Sequence, residues 1–317
     1  MSIRISAIIC TLNRAAYLQK AIQSLVNQTL PQQDYEIIVV DNGSTDNTKA
    51  TVEGFEHFEN LRYIYEPIMG LSQARNTGWQ NAQGEYVTFL DDDAIACPEW
   101  LERIVTAFET VQPQPGSVGG KVIPVWDIEP PAWFPEDMKR AFAIIDWADN
   151  PTFLRRGPQF LQGCNVAYRR EILRQFGGFS TVLGRKGSGL LGSEEILLQR
   201  SLMNKNLGIY YDPQICVEHH ISAKGLTKDW VRRRSFSQGF SEQLLSHLET
   251  GERGANWHHL GVAVFYLSFF PSMLAMLLLA PIVAPNPESR FEMQSAFYHW
   301  LGKCWGQLQI GLGRIKE

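Results

Sequence analysis

The sequence predicts an α/β fold in which a mostly parallel sheet is flanked by helices on both faces. Its first half alternates short β-branched and apolar runs with stretches of helical period, an alternation typical of parallel sheets. The predicted strands are residues 3–10, 35–40, 61–65 and 85–90. With 317 residues, of which 44% are hydrophobic, the chain is long enough for one large core and an appendage.

Apolar residues that recur every three or four positions predict the helices. The first helix has an apolar face made of Tyr17, Ala21, Ile22 and Leu25. The next three are predicted at residues 45–56, 71–82 and 98–111. Pro98 then falls in the first turn of the fourth helix, where its missing amide hydrogen costs nothing.

A proline-rich segment at residues 124–135 interrupts this regular pattern. Its prolines exclude a helix or a central strand and predict a long surface excursion. Trp126 and Trp133 are expected either to fix the loop onto the domain or to stack on a sugar ring. Beyond the loop, the pattern predicts a strand at residues 165–168 and helices at residues 170–176 and 194–202.

The composition limits the functions that the chain can have. A net charge of -4 gives no overall attraction to nucleic acid, so an anionic partner would be held locally by a metal or by placed arginines. The five cysteines are far apart and lack zinc-like spacing, so we expect reduced thiols in a cytosolic compartment. The chain enters a strand at once without a signal-peptide pattern, which predicts that the catalytic part stays in the cytosol.

Three adjacent carboxylates, Asp91, Asp92 and Asp93, follow the fourth predicted strand. They repel one another, and a hard cation such as Mg²⁺ or Mn²⁺ relieves that repulsion through oxygen ligands. The carboxyl ends of strands are also where open α/β sheets bind ligands. The run therefore predicts a divalent metal site, with a merely solvated acidic turn as the alternative.

The last third of the chain differs in character. Residues 260–283 carry no charge, and their length permits a membrane helix, although their prolines and serines also suit a buried hairpin. Residues 291–315 suit a helix lying in the plane of a membrane interface. We expect association with the cytoplasmic face of a membrane, whether peripheral, monotopic or C-terminally inserted, because basic residues flank the apolar stretch: Arg232, Arg233, Arg234, Arg253, Arg290, Lys303, Arg314 and Lys316.

Several short blocks of sequence occur in a characteristic order along the chain. They are Thr11-Leu12-Asn13-Arg14, Val39 to Asp46, Gly70 to Gly78, Asp91-Asp92-Asp93, Gly192-Ser193-Glu194-Glu195 and Val217-Glu218-His219. Together they resemble the family 2 glycosyltransferases over roughly residues 1–240. The resemblance implies a GT-A fold, a Rossmann-like nucleotide-sugar-binding domain that transfers a sugar with inversion of its anomeric configuration.

The resemblance also implies how the chain is divided. We expect a catalytic domain at residues 1–225, with its donor half at about 1–120 and its acceptor half at about 121–225. A helical, membrane-associated region would then occupy residues 226–317.

By the resemblance, the nucleotide base and ribose are held by residues that follow the first two strands: Thr11, Leu12, Asn13, Arg14 and Asp41. Asp41 can accept from a base N–H or from hydroxyls, which favours pyrimidines or guanine. The alternative role for Asp41 is in a turn or a helix cap, because the sequence Asp-Asn-Gly-Ser strongly favours a turn. Ser44 or Thr45 is expected to cap the second helix and leave Asp41 free.

The resemblance places Arg75 near the donor diphosphate and the acidic loop, and a guanidinium forks well onto phosphate. A structural ion pair to Asp91 or Asp92 is its alternative. Asp91 is expected to bind the ribose, or the metal through water, while Asp93 binds the metal directly and Asp92 belongs to the donor site.

The resemblance implies that a histidine after a later strand adds a further metal ligand. His219 and His220 are the two choices, and alternation along the predicted strand directs His219 inward with Ile215 and Val217. His219 is therefore the predicted ligand.

Inverting transfer needs a base that deprotonates the acceptor hydroxyl. The family usually has Glu-Asp where this chain has Glu194-Glu195, so Glu195 is the predicted base and Glu194 the alternative. Both also suit a helix start for electrostatic reasons alone. The resemblance further places Asn165 on the acceptor side.

The sequence thus predicts a metal-dependent glycosyltransferase that uses a nucleotide-diphospho-sugar and a glycan or lipid-linked acceptor in cell-surface polysaccharide or glycoconjugate synthesis. A nucleotidyltransferase would need a glycine-rich basic loop after the first strand, and Thr11 to Arg14 is not one. Dinucleotide binding would need a GxGxxG pattern there. A catalytically silent, nucleotide-sugar-binding or scaffold member of a glycan assembly complex is the remaining alternative, because Glu195 departs from the family pattern.

Overall fold

The computed structural model describes residues 3–134, 136–187, 189–251, 257–284 and 286–315. Its strands form one mixed sheet with the order β3-β2-β1-β4-β8-β6-β9-β5, and β7 pairs with β9. The strands are β1 (Ile5–Thr11), β2 (Tyr35–Asp41), β3 (Leu61–Tyr65), β4 (Tyr86–Asp91), β5 (Ala94–Ala96), β6 (Ser117–Trp126), β7 (Thr152–Phe153), β8 (Val166–Arg169) and β9 (Ile209–Ile221).

The α-helices follow the strands in the predicted alternation. They are α1 (Ala15–Val26), α2 (Thr48–Glu53), α3 (Leu71–Gln80), α4 (Trp100–Thr110), α5 (Arg170–Phe176), α6 (Glu194–Asn204), α7 (Lys228–Thr250), α8 (Trp257–Ser268), α9 (Phe270–Val283) and α10 (Pro287–Gly311). The predicted α/β class is therefore confirmed.

The first four strands are parallel, and the sheet becomes antiparallel beyond them. β1 pairs in parallel with β2 and β4, whereas β4 with β8 and β5 with β9 are antiparallel. Thr11 lies opposite Asp41, and Cys10 lies opposite Asp91. The carboxyl ends of β1, β2 and β4 therefore lie side by side at one edge of the sheet.

Three predicted boundaries were wrong for local reasons. α2 begins at Thr48 because the Asp46 carboxylate accepts from the Thr48 amide at 3.0 Å, so residues 45–47 stay outside the helix. α4 begins at Trp100, which leaves Pro98 in the preceding turn. β6 continues to Trp126, so the proline-rich excursion starts three residues later than predicted, and Pro135 lies outside the described residues.

The contact between α3 and β1 depends on a glycine. A Cβ atom on Gly78 would lie 2.6 Å from Cγ2 of Ile8, a distance that real side chains do not reach. Because Ile8 is fully buried in the sheet, only glycine allows α3 to pack this closely. This packing fixes α3, and with it Arg75, behind the carboxyl ends of the strands.

The chain forms two compact units that are discontinuous in sequence. The first comprises Met1–Val125, Ala143–Phe179 and Leu198–Ile221, and the second Trp126–Phe142, Ser180–Leu197 and Ser222–Glu317. The sequence predicted two contiguous parts, residues 1–225 and 226–317. The observed units differ from that prediction because residues 126–142 and 180–197 belong to the same unit as the C-terminal helices.

The proline-rich excursion is fixed by its own aromatic side chains within the second unit. Phe142 stacks on Trp230 with ring centroids 4.5 Å apart, and Phe134 lies 5.5 Å from Phe142. Trp133 packs edge-on against Phe291 at 4.7 Å. This packing fits the first of the two roles expected for the loop tryptophans.

α10 packs along α7, a partner that the prediction for residues 291–315 did not include. The two helices approach closely at glycines, since a Cβ on Gly239 would collide with the His299 carbonyl. Glu242 of α7 accepts from His299 at 3.0 Å and pairs with Lys303 at 3.1 Å, both on α10. The sequence pattern could not reveal this partner because apolar residues suit either surface. Of the flanking basic residues, Arg253 and Lys316 lie outside the described residues.

Two of the cysteines are oxidised, which corrects the expectation of reduced thiols. Cys97 and Cys216 form a disulfide with Cα atoms 5.8 Å apart. The antiparallel pairing of β5 with β9 places them opposite each other, and the Cys97 amide donates to the Cys216 carbonyl at 3.1 Å. A separation of 119 residues hides this pairing from the sequence. The remaining cysteines, Cys10, Cys164 and Cys304, are free thiols.

Candidate active site

The acidic loop meets a histidine at the carboxyl edge of the sheet. Asp91 ends β4, Asp92 and Asp93 form the turn, and β5 then pairs with β9 so that Ala94 lies opposite His219. The Nε2 atom of His219 lies 3.2 Å from Oδ1 of Asp93. Among the described residues, Asp91, Asp93 and His219 form a group whose potential ligand atoms all lie within 4.8 Å of one another.

This group has the chemistry of a site for a divalent cation. Two carboxylates and one imidazole suit Mn²⁺, which accepts both oxygen and nitrogen ligands, better than Mg²⁺, which prefers oxygen and water. The side chains of Asp93 and His219 are only 12% and 13% exposed, so their charges are poorly screened by solvent. His220, the other histidine considered, packs instead against Tyr17 with ring centroids 5.1 Å apart.

Arg14 neutralises the acidic loop from the β1–α1 connection. Its guanidinium donates to Oδ1 of Asp92 at 3.0 Å and forms a close ion pair with Asp93. The Thr11 hydroxyl donates to the other oxygen of Asp92 at 2.8 Å. Two of the predicted donor-site residues therefore hold the acidic turn directly.

The neighbouring aspartates have divergent proton affinities. Burial, and then the charge of Asp93, raises the pKa of Asp92 to about 7. Burial also acts to raise the pKa of Asp93, but His219 and Arg14 outweigh it and hold that pKa below its usual range. The charges of His219 and Arg14 thus favour the ionised form of Asp93, which is the form that binds a metal.

Arg75 lies behind Asp91 and is almost completely buried. Its guanidinium pairs with Oδ1 of Asp91 at 3.1 Å, which is the ion pair considered as its alternative role. The cation lies over the rings of Phe89 and Phe179 at 5.9 and 5.7 Å. A Cβ on Gly163 would collide with the guanidinium, so this glycine makes room for it.

Asp41 is engaged by the protein rather than free, which corrects the sequence prediction. Its Oδ1 accepts from the Ser44 amide at 2.8 Å, and its Oδ2 accepts from the Tyr63 hydroxyl at 2.8 Å. Neither Ser44 nor Thr45 caps α2, because the helix begins later. Each carboxylate oxygen has a second lone pair, so Asp41 retains acceptor capacity toward a ligand.

Asn13 connects the loops after β1 and β2. Its side-chain oxygen accepts a hydrogen bond from the backbone amide of Thr45 at 2.7 Å. Its own backbone amide donates to the Ser44 hydroxyl at 2.9 Å. Asn13 adopts a left-handed backbone with φ of 55°, a conformation that asparagine tolerates better than most residues. Leu12 is half-buried beside it.

Sequence reasoning missed Asn42 and Tyr63. The Asn42 amide donates to the carbonyls of Glu66 and Ile68 and accepts from the Gly70 amide at 2.7 Å. These bonds hold the β3–α3 loop against the end of β2. The turn signal at residues 41–44 pointed to Asn42, but nothing in the sequence pointed to Tyr63, whose role follows from the pairing of β2 with β3.

Asn165 has a structural role, and its predicted place on the acceptor side was wrong. Its side chain is fully buried. It accepts from Trp100 Nε1 at 2.8 Å and donates to the carbonyls of Lys121 and Ile215 at 3.0 and 2.8 Å. A side chain enclosed in this way tethers β6 and β9 to α4 and is not available to an acceptor.

Glu194 and Glu195 begin α6 and are both buried, at 3% and 8% exposure. Ser193 before them has a φ of 80°, so the chain turns sharply into the helix. Within the second unit, the Ser241 hydroxyl of α7 accepts from the Gly192 amide at 3.1 Å. The start of α6 is therefore held by α7.

Arg234 of α7 also holds this segment, donating to the Leu190 carbonyl at 2.7 Å. A Cβ on Gly192 would lie 3.7 Å from its guanidinium, at ordinary contact distance, so the arginine lies against this loop. Burial, and then the charge of Arg185, lowers the pKa of Arg234 to about 10, while Glu195 and Glu194 oppose the shift. This arginine therefore holds the segment that leads to the two carboxylates, a role that the sequence did not predict.

Comparison with known proteins identifies the relatives of this chain. The family model described as Glycosyl transferase family 2 matches residues 6–177, more than half of the chain. The glucosyl-dolichyl phosphate glucuronosyltransferase of Haloferax volcanii is 26% identical over 251 residues, covering 77% of this chain and 78% of that protein. AglE, a glycosyltransferase of the same organism, is 39% identical over 104 residues, but that match covers only 34% of AglE.

Solved structures share the fold. The mannosyltransferase PcManGT of Pyrobaculum calidifontis, in complex with GDP-Man and Mn²⁺, superposes with a TM-score of 0.59 at 19% identity, covering 97% of this chain and 86% of that one. TarS of S. aureus in complex with UDP gives 0.53 at 18% identity, covering 97% and 91%. Since the family model spans most of the sheet and the acidic loop, the chain belongs to glycosyltransferase family 2 and has a GT-A fold.

Proposed function

We propose that this glycosyltransferase is metal-dependent and inverts the anomeric configuration of the sugar that it transfers from a nucleotide-diphospho-sugar. The observation that carries the proposal is the convergence of Asp91, Asp93 and His219, whose potential ligand atoms lie within 4.8 Å of one another. Family membership makes the chain a transferase, and a divalent cation held by this group would supply the positive charge that a diphosphate leaving group requires.

The proposed metal ligands are the two aspartates and the histidine. A divalent cation held there would neutralise charge on the departing nucleoside diphosphate. PcManGT was solved with GDP-Man and Mn²⁺, which supports Mn²⁺ as the first cation to test. The donor site is proposed to comprise Thr11, Leu12, Asn13, Arg14, Asp41, Arg75, Asp91 and Asp92.

The proposed base is a carboxylate at the start of α6. Glu195 would take the proton of the acceptor hydroxyl as the oxygen attacks the anomeric carbon, and Glu194 is the alternative. Both side chains are buried, which shields a proton transfer at this position from solvent water.

The proposed acceptor is a hydroxyl of a glycan or a lipid-linked sugar, used in cell-surface polysaccharide or glycoconjugate synthesis at the cytoplasmic face of a membrane. Two observations support it. The Haloferax relative is named for a glucosyl-dolichyl phosphate. Among the described residues, the stretch Trp257–Val283 is long and apolar enough to cross a bilayer by length and composition.

The test is a transfer assay on the purified full chain with UDP- and GDP-sugars and a polyprenyl-phosphate-linked sugar, with Mn²⁺ or with EDTA. Nucleotide release that requires Mn²⁺ is expected, and proton NMR of the product should show the anomeric configuration opposite to that of the donor. Retained configuration would contradict inversion. Binding of the donor without turnover on any acceptor would favour a catalytically silent member of an assembly complex.

A further inference from the structure

The outer surface of α8 and α9 is a continuous apolar face in the second unit. It carries no Asp, Glu, Lys or Arg between Trp257 and Ala284. Only 6% of the most apolar window of this stretch is buried. The exposed side chains that form what we call the apolar face are Val264, Phe265, Leu267, Phe270, Leu274, Leu278, Leu279, Ile282 and Val283.

The inner side of α8 and α9 lies antiparallel along α10 from end to end. At one end, a Cβ on Gly311 would lie 2.7 Å from Leu260, so these helices are in direct contact. In the middle, the rings of Phe270 and Trp300 have centroids 6.1 Å apart. At the other end, Arg290 Nε donates to the Ala284 carbonyl at 2.9 Å.

α10 is in turn bound to α7, which is too polar to enter a bilayer. α7 contributes Glu242 to an ionic cluster with His299 and Lys303 of α10. Charged side chains are expensive in the hydrocarbon core and remain near water. Because α10 carries part of this cluster, the segment that lies along it cannot cross the bilayer without separating from α10.

We propose that α8 and α9 lie in the plane of a phospholipid bilayer surface, with the apolar face among the acyl chains and α10 behind it. The chemistry at both ends fits anionic headgroups. Exposed Arg290 lies at the end of α9, and exposed Arg314 follows the end of α10 that contacts α8. Trp257 and Trp305 are also exposed, and tryptophan favours the headgroup level.

A bilayer fits this face better than a second copy of the chain. Protein interfaces are about as apolar as other surfaces and have a polar rim. The apolar face instead keeps its character over a stretch of 27 residues. Lipid would cover the apolar face throughout, while α10 on its other side keeps its ion pairs with α7.

This inference rests on the membrane association proposed above and not on the transfer reaction. The two are tested separately, because lipid binding and topology are measured without substrate. A chain that inserts as inferred but transfers no sugar would overturn only the proposed reaction.

The first experiment is flotation of the full chain with phosphatidylcholine vesicles, with and without phosphatidylglycerol. Wild type should float, and more so with the anionic lipid. Ile282→Asp should reduce the floated fraction at least about tenfold, because a carboxylate would enter the acyl region. Ile128→Asp is the matched control, since Ile128 is exposed outside the apolar face. Equal loss in both variants, or a dimer in place of flotation, would overturn the inference.

The second experiment separates an in-plane segment from a spanning one. Single cysteines at His258 and Glu292, beyond the two ends of the apolar face, are labelled with an impermeant maleimide in sealed membrane vesicles of either orientation. Labelling of the native cysteines is measured in the parent chain and subtracted. Both introduced cysteines should then react from the same side of the membrane. Labelling of the two positions from opposite sides would establish a transmembrane helix and overturn the proposal.

Discussion

The Nε2 atom of His219 lies 3.2 Å from Oδ1 of Asp93, although 126 residues separate the two in sequence. The pairing of β5 with β9 creates this contact, and the His220 amide donates to the Asp93 carbonyl at 2.8 Å to hold the register. The candidate metal group therefore depends on a strand pairing as much as on the acidic loop.

Replacing His219 tests the ligand assignment. His219→Ala should weaken Mn²⁺-dependent nucleotide binding at least about tenfold, since one of three proposed ligands is lost. His220→Ala is the matched control and should leave the affinity within about twofold, because His220 contacts Tyr17. Titration of Mn²⁺ by calorimetry with saturating nucleotide measures both. A larger loss from His220→Ala would reverse the assignment.

Glutamine substitutions distinguish the two candidate bases. Glu195→Gln should lower kcat by about 10²- to 10⁴-fold with little change in nucleotide affinity, because it removes a proton acceptor and keeps the shape. Glu194→Gln should have a much smaller effect. The transfer rate with saturating donor decides between them, and a loss confined to Glu194→Gln would move the base by one residue.

Arg234 should act on the reaction through the position of the α6 start. Arg234→Gln removes its bond to the Leu190 carbonyl, so we expect a lower kcat with an unchanged KM for the donor. Arg234→Lys keeps the charge and should restore part of the rate. Arg233→Gln, at an exposed neighbouring position, is the control. A raised donor KM with normal kcat would place Arg234 in donor binding instead.

The packing of α10 on α7 should weaken in acid. Burial alone would raise the pKa of Glu242, but His299 and Lys303 lower it to about 2. A depressed folded-state pKa contributes stability above the ordinary value of 4.5, and this stability is lost as pH falls from there toward 2. The contribution should stay below about 1 kcal/mol, because the side chain is about one-third exposed.

Urea midpoints at pH 6 and pH 3 measure this contribution. The decrease between the two pH values should be smaller in Glu242→Gln than in wild type. The exposed position Glu59 provides the control, and Glu59→Gln should behave as wild type. Identical pH dependence in Glu242→Gln and wild type would show that the ionic cluster does not stabilise this packing.

The sequence was sufficient for the parallel half of the fold, because local patterns encode it. Each predicted strand from β1 to β4 agrees with the structure within two residues, and the acidic loop follows β4 as expected. The inward direction of His219 also followed from simple alternation along β9. These features depend on the period of a strand and on the residues beside it.

The remaining features depend on contacts between distant residues. The Cys97–Cys216 disulfide, the Tyr63 bond to Asp41 and the packing of α10 on α7 all arise from pairings that leave no local signature. Asn165 was misassigned for the same reason, since its amide partners come from three separate elements. Arg234 was likewise grouped with surface charges, because a row of arginines does not reveal which one bonds to the loop before α6.

The most direct test of the central claim is calorimetric binding of UDP, GDP and dTDP, each with Mn²⁺ and with EDTA, to wild type and to Asp93→Ala. Asp149→Ala, at an exposed position, is the matched control. One nucleotide should bind tightly to wild type and to the control only with Mn²⁺, and this binding should be lost in a folded Asp93→Ala variant. Nucleotide binding that is the same with EDTA, or that survives in Asp93→Ala, would contradict a metal-dependent donor site.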